Sequence, residues 1–369
     1  MNASAGPSPA SSPAGLDLAS IPDRIQSEVQ RAIQRSIKGV EYIASSGPAT
    51  GTTPKDVILS RGTMQLYHYH PIADEIYRVP ILIVMATTNR GYILDLTPGQ
   101  SLIEFLLMRG FDVFMLDWNA PKPEEKGLRF EDYVLGFIPD CIKAVQKESG
   151  ETDVSIIGYC FGGVLSVMYA SIFADGPLKN LVCFTTPIDF RGMKLFQNFS
   201  DRRYFDVDRL VDSVGNVPSE MIMTSFDMLR PASRAFSQVQ LWDNIWNDEY
   251  VKAYRMMDRW GTDTLPLAGE YFRQTTKDLM WDNKLHEGTM TVGGRAVDLS
   301  KIKVPLLHAV AEHDHIVTYE ASKPLVVKVG SADKQEVILK GGHISVAAGG
   351  NAVKRLWPKL DSWLSERSV

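Results

Sequence analysis

The stretch Asp153–Ala174, DVSIIGYCFGGVLSVMYASIFA, constrains the fold more than any other part of the chain. Its first half is a β-branched apolar run, its second an apolar segment of helical length. Gly158, Gly162 and Gly163 sit at the join. No charge falls between Ser155 and Ala174, roughly the 20 residues that a bilayer span needs. A change of periodicity across three glycines suits a buried strand turning into a buried helix, not a spanning helix. A strand apolar on both faces belongs in a parallel sheet covered by helices.

The surrounding sequence repeats that alternation. DVILSRGTMQLYHYH alternates on either side of Arg61–Gly62 and reads as a hairpin. VPILIVMA and FDVFMLDW are buried strands. Between them, Thr97 as cap, Pro98 in the first turn, Gln100 closing a capping box and Gly110 as stop predict a helix. A helix over 130–149, kinked at Pro139, precedes the strand at Asp153, and NLVCFTTP follows as another strand. The pattern lapses over 189–300, a segment rich in Trp, Tyr, Met and Arg, and returns with IKVPLLHAVA, QEVILK and a last helix. The expected architecture is α/β, a mostly parallel sheet with helices on both faces. Its core spans 56–188 and 301–369, with a mainly helical cap inserted at 189–300.

Upstream, residues 1–19 form a Pro/Ser/Ala/Gly-biased lead without a basic or apolar signal segment, read as disordered. Residues 20–55 hold a helix and a linker. Ser20 and Asp23 resemble a capping box, and Ile25, Val29, Ile33, Ile37 and Val40 share one helical face. That face either docks on its own domain or binds a partner. A net charge of −5 without a basic stripe gives no reason to expect nucleic acid as partner. Three cysteines far apart suit a reducing, cytoplasmic compartment rather than a disulfide framework. No His/Cys/Asp/Glu cluster has metal-ligand spacing and no Gly-rich phosphate loop follows the first strand, so neither metal nor cofactor is expected.

Gly158-Tyr159-Cys160-Phe161-Gly162 has the form G-x-C-x-G. With serine at the centre this is the nucleophile elbow of α/β hydrolases. The residues two away must lack side chains, because strand and helix pass within contact distance. The turn lifts Cys160 above the sheet edge, at a helix N-terminus that favours a thiolate. The Phe161 N–H would be one oxyanion donor, and the loop after ILIVMA, at Ala86 or Thr87, would supply the second. Cys141, on a helix, and Cys183, in an apolar strand, lack such a setting and read as core.

An acid should follow the nucleophile after a late strand, and a histidine after the last strand. VPLLHAVAEHDHIV delivers Asp314 and EVILKGGHIS delivers His343, both at strand C-terminal ends. Asp117 is a rival acid at another strand end; His313 and His315 read as turn residues. The residues thus describe a Cys-His-Asp acyl-transfer enzyme. Cysteine suits exchange of an acyl group between thioester and thiol.

These motifs resemble, in order, the catalytic subunit of the polyhydroxyalkanoate synthases, in particular the two-component class III kind. From about Thr53 onward the resemblance is carried by TPKDVILSRGTMQLYHY, NRGYILDL, SLIEFLLMRGFDVFMLDW, GYCFGG, NKLHEGTMTVGGRAVDLSKIKVPLL, EHDHIV and GGHIS. The resemblance implies (R)-3-hydroxyacyl-CoA substrates, short ones such as 3-hydroxybutyryl-CoA favoured, a polyester product and CoA release. It implies Cys160 as acyl carrier, His343 as base, and Asp314 as the acid that assists His343 or activates the incoming 3-hydroxyl. It further implies a second, smaller synthase subunit, a possible homodimer, and association with polyester granules without a transmembrane segment. Three positions depart from the family pattern: Gly91 and Thr318 stand where proline is usual, and Ser345 where glycine is common. The same triad could also serve a cysteine hydrolase or an intracellular polyester depolymerase. A non-catalytic granule-coating protein would be expected to lack a triad member, and none is missing.

Overall fold

The computed structural model describes residues 21–369; the lead of residues 1–19 and Ser20, on which the expected capping box depends, lie outside the described residues. Two compact units are distinguished, residues up to 47 with 235–254, and residues 48–234 with 255–369.

The larger unit is built on an eight-stranded sheet. Its strands are β1 (Lys55–Arg61), β2 (Met64–Tyr69), β3 (Ile81–Val84), β4 (Val113–Trp118), β5 (Val154–Tyr159) and β6 (Leu178–Phe184). A two-residue hairpin, β7 (Thr291–Val292) with β8 (Arg295–Ala296), lies apart; β9 (Leu306–Ala311) and β10 (Lys334–Leu339) complete the sheet. The order is β1-β2-β4-β3-β5-β6-β9-β10. β1 and β2 form the expected hairpin, β2 joins β4 antiparallel, and every other pairing is parallel. All residues of β3, β4, β5 and β9 are buried, which explains their unbroken apolar runs. The chain leaves β3 toward β4 on one side and β5 toward β6 on the other. The gap between the carboxyl ends of β3 and β5 is therefore the switch point where α/β sheets place their sites.

Two local expectations are corrected. The helix after β3 begins at Leu102, not in the turn after Thr97, and Ser101 caps it by accepting from the Glu104 N–H at 3.0 Å. Thr97–Gln100 is instead a turn, closed by Gln100 N–H to Thr97 O at 2.8 Å with Gly99 at φ +77°. The Gln100 side chain accepts from the Gly349 N–H, a tertiary contact, rather than closing a capping box. The helix expected over 130–149 is a π-helical segment, Asp132–Phe137, running into an α-helix, Ile138–Ser149. Pro139, which lacks an N–H, sits in the first turn of the α-helical part.

Residues 189–300 carry mostly short helices, among them Val207–Val214, Ser219–Asp227 and Gly269–Gln274. In the smaller unit the helix Ile21–Ala44 meets residues of 235–254. Lys38 pairs with Asp248 at 3.1 Å, and a Cβ on Gly39 would lie 3.2 Å from the Trp242 ring. The apolar stripe is not the docked face: Ile25, Val29, Ile33, Ile37 and Val40 are each more than half exposed.

Candidate active site

Cys160 stands between β5 and the helix Phe161–Ile172 with φ +53° and ψ −119°, a conformation that costs a non-glycine residue about 1–3 kcal/mol. Its neighbours explain the glycines. A Cβ on Gly158 would lie 2.5 Å from the Gly163 Cα, and one on Gly162 would lie 2.1 Å from the Val84 carbonyl oxygen. Only bare backbone lets strand, turn and helix pass this closely. The Cys160 N–H donates to Phe184 O at 2.8 Å, fixing the elbow to β6.

Asp314 follows β9 and His343 follows β10, one strand apart. The Asp314 Oδ2 lies 2.6 Å from His343 Nδ1, and its Oδ1 accepts from the N–H groups of Ile316 (2.8 Å) and Val317 (2.9 Å). Both side chains are buried, and the Cys160 sulfur lies near enough to His343 to act on its charge. With Nδ1 taken by Asp314, Nε2 is the atom left for the sulfur. Burial alone would lower the His343 pKa; the Asp314 carboxylate and the Cys160 sulfur outweigh it and raise the pKa from 6.5 to about 10. The Tyr159 ring tilts against the imidazole at 5.6 Å. The turn presenting His343 is closed by Ser345, whose Oγ accepts from the Gly342 N–H at 3.1 Å.

Phe161 opens its helix, where its N–H has no intrahelical acceptor. Ala86 and Thr87 follow β3, are buried, and among the described residues their N–H groups have no hydrogen-bond acceptor. The Gly162–Val84 approach holds that strand end against the elbow. All six residues singled out by sequence therefore gather at the carboxyl edge of the sheet.

The rival acid Asp117 points elsewhere. Its carboxylate accepts from the Gly91 N–H at 3.1 and 3.2 Å, and burial raises its pKa to about 6. Cys141 and Cys183 are buried; burial pushes the Cys183 thiol up to about 12 and the Cys141 thiol higher still. Among the described residues no group of His, Cys, Asp or Glu is placed to hold a metal ion.

Sequence reasoning missed the aromatic wall beside Cys160. Phe161 packs on Phe190 (6.3 Å), Tyr271 (5.7 Å) and Phe130 (6.4 Å), and Tyr271 packs on Tyr133 at 4.6 Å. These residues lie far apart in sequence, and no local pattern announces them.

The sheet order and the elbow define an α/β-hydrolase-fold protein, and residues 91–348 match the family model described as alpha/beta hydrolase fold. Among solved structures, the chain is similar to a monoglyceride lipase from Saccharomyces cerevisiae (14% identity, TM-score 0.55, covering 88% of this chain and 100% of that one). It is likewise similar to Est1E from Butyrivibrio proteoclasticus (14% identity, TM-score 0.52, covering 85% and 98%). At that identity the likeness concerns the fold alone.

Sequence relatives narrow the class. Residues 36–106 match the model for the poly-beta-hydroxybutyrate polymerase (PhaC) N-terminus, so the likeness begins upstream of Thr53. The chain is 34% identical to the poly(3-hydroxyalkanoate) polymerase subunit PhaC of Allochromatium vinosum, over 94% of this chain and 98% of that one. It is 33% identical to the protein of that name from Synechocystis sp., over 86% and 85%. Against the Haloferax mediterranei subunit it is 34% identical over 87% of this chain, spanning 65% of that relative's length. The chain belongs to the poly(3-hydroxyalkanoate) polymerase subunit family.

Proposed function

We propose that the chain polymerises (R)-3-hydroxyacyl-CoA into poly(3-hydroxyalkanoate) through an acyl thioester on Cys160, with CoA released. The observation that carries this reading is the strained Cys160 elbow within reach of the buried Asp314–His343 pair. With its pKa raised to about 10, His343 already holds the thiol proton on Nε2, and the Cys160 sulfur attacks the thioester carbonyl as a thiolate. The N–H groups of Phe161 and of Ala86 or Thr87 stabilise the oxyanion. As the intermediate collapses, the carbon–sulfur bond to CoA breaks and His343 returns the proton to the leaving thiolate.

Acylation then resets the base. The sulfur of a thioester carries no charge, so one of the influences that raise the His343 pKa disappears. The imidazole can then accept the proton of the incoming 3-hydroxyl as that oxygen attacks the acyl carbon; the new ester bond forms, the carbon–sulfur bond to Cys160 breaks, and the proton stays on His343 beside the freed Cys160 sulfur. Both Asp314 oxygens are engaged, one with His343 and one with backbone N–H groups, which supports an orienting role for Asp314. The family resemblance favours short substrates such as 3-hydroxybutyryl-CoA.

The relatives bear the name of a polymerase subunit. The exposed stripe of Ile21–Ala44 supports a partner-binding role for this helix, with a second synthase subunit as the partner. Unchanged activation by that subunit after deletion of residues 1–46 would remove the helix from this role. Granule association is expected because the product is an insoluble polyester held on the enzyme; among the described residues no helix is long and apolar enough to cross a membrane.

The test is incubation of purified protein with 3-hydroxybutyryl-CoA, with and without a class III partner subunit, followed by sizing of the products. High-mass polyester that disappears in Cys160→Ala supports the reading. Free 3-hydroxybutyrate as the sole product would mean that water is the acceptor and the chain acts as a hydrolase.

A further inference from the structure

The loop that follows β3 is held from a distance. Its start is fixed by the core, with Trp118 Nε1 donating to Met85 O at 2.8 Å. Beyond that, successive residues are anchored to a single stretch of the inserted segment. The Thr87 hydroxyl donates to Tyr271 Oη at 3.1 Å, and Thr88 O accepts from the Leu265 N–H at 2.7 Å. Asn89 forms an antiparallel bridge with Thr264, and Arg90 O accepts from Trp260 Nε1 at 2.9 Å. One of these anchors touches both sides of the elbow. Tyr271, about 1% exposed on the helix Gly269–Gln274, bonds Thr87 through its hydroxyl and packs edge-on against Phe161 through its ring at 5.7 Å.

We infer that Tyr271 is a positioning residue for the oxyanion donors, its hydroxyl holding the Thr87 loop at the spacing from Phe161 that a developing oxyanion requires. The inference rests on the reading of Cys160 as nucleophile. The physical reason is that oxyanion stabilisation depends on preorganisation: removing a donor outright typically costs 10²–10³ in kcat, and letting one drift costs a fraction of that. Thr87 and Ala86 follow a strand that ends at Val84, so the ladder does not fix them and a long-range bond must. The inserted segment therefore supplies part of the frame of the active site.

The test compares Tyr271→Phe, which keeps the ring and deletes the hydroxyl, with Tyr133→Phe, which deletes a hydroxyl from the neighbouring ring of the same cluster. Single-turnover acylation of Cys160 by 3-hydroxybutyryl-CoA is followed by mass spectrometry, with kcat and KM for CoA release alongside. The expected result is a fall in acylation rate and kcat of about tenfold or more in Tyr271→Phe, with KM within about twofold, and no such fall in Tyr133→Phe. In the cycle with Thr87→Val, the double variant should lose no more than the worse single variant, because both break one bond. Wild-type acylation in Tyr271→Phe would overturn the inference. So would equal losses in both phenylalanine variants accompanied by a fall in thermal stability, which would mark a packing effect. CoA release persisting in Cys160→Ala would instead overturn the nucleophile assignment, a separate outcome.

Discussion

Replacing Asp314 by asparagine isolates the charge that sets the state of His343. The carboxylate oxygen and ring nitrogen are 2.6 Å apart and both side chains are buried, so the centres of charge are about 4 Å apart. At an effective dielectric of about 20, such a pair is worth about 4 kcal/mol, or about three pK units. That is most of the rise of the His343 pKa from 6.5 to about 10, with the Cys160 sulfur supplying the remainder against the opposing effect of burial. In Asp314→Asn the carboxylate's influence goes while burial and the Cys160 sulfur remain, so the His343 pKa should fall by about three pK units, to about 7. The amide would also turn an N–H toward Nδ1, favouring the tautomer whose Nε2 carries a proton and cannot accept one from Cys160. The expected loss of acylation rate is on the order of 10³–10⁴. The assays are an NMR titration of the His343 ring and rapid-quench measurement of CoA release. Because the folded pKa lies above the unfolded one, protonated His343 adds stability that is complete below about 6.5 and lost as pH rises through about 10. The stability gap between wild type and variant should narrow over that window. An unmoved His343 pKa, or acylation within tenfold of wild type, would refute this assignment of Asp314.

Gly162→Ala should destabilise by more than the about 1–3 kcal/mol of ordinary overpacking and abolish acylation, because the new Cβ would meet the Val84 carbonyl at 2.1 Å; near-native denaturant unfolding would contradict this. Asp117 is raised from 3.8 to about 6, so its own contribution to stability is greatest below about 3.8 and falls as pH rises through about 6. Asp117→Asn should remove that dependence and gain about 1–3 kcal/mol near neutral pH, read by urea unfolding of both proteins across pH; a difference between variant and wild type that does not grow over the window would count against it.

The sheet and the elbow were legible because their physical demands leave marks on single residues. Strands buried on both faces are apolar along nearly their whole length, with Asp117 of β4 the acidic exception, and a turn that presses backbone on backbone cannot carry a Cβ at Gly158 or Gly162. The candidate acid and base were legible because the fold assigns them to the ends of β9 and β10. The three departures from the family pattern also acquire local reasons. The Gly91 N–H bonds Asp117, a bond proline could not make. Thr318 caps a short helix and reaches Gly192 O at 3.1 Å, and Ser345 closes the turn before His343. What was not legible depends on distance. Thr97-Pro98-Gly99 suits a turn as well as a helix start, and only tertiary packing chooses Ser101 as the cap. Amphipathicity marks the apolar face of Ile21–Ala44 but not which face docks. Tyr271 and Trp260 meet the loop after β3 across more than a hundred residues and give no local signal.

The most direct test of the central claim is mass spectrometry of the peptide containing Cys160 after a brief incubation with 3-hydroxybutyryl-CoA. The expected result is a hydroxyacyl adduct on Cys160 that forms in step with CoA release and is absent from Cys160→Ala. CoA released at full rate with Cys160 unmodified, or an adduct on Cys141 or Cys183 in its place, would contradict it.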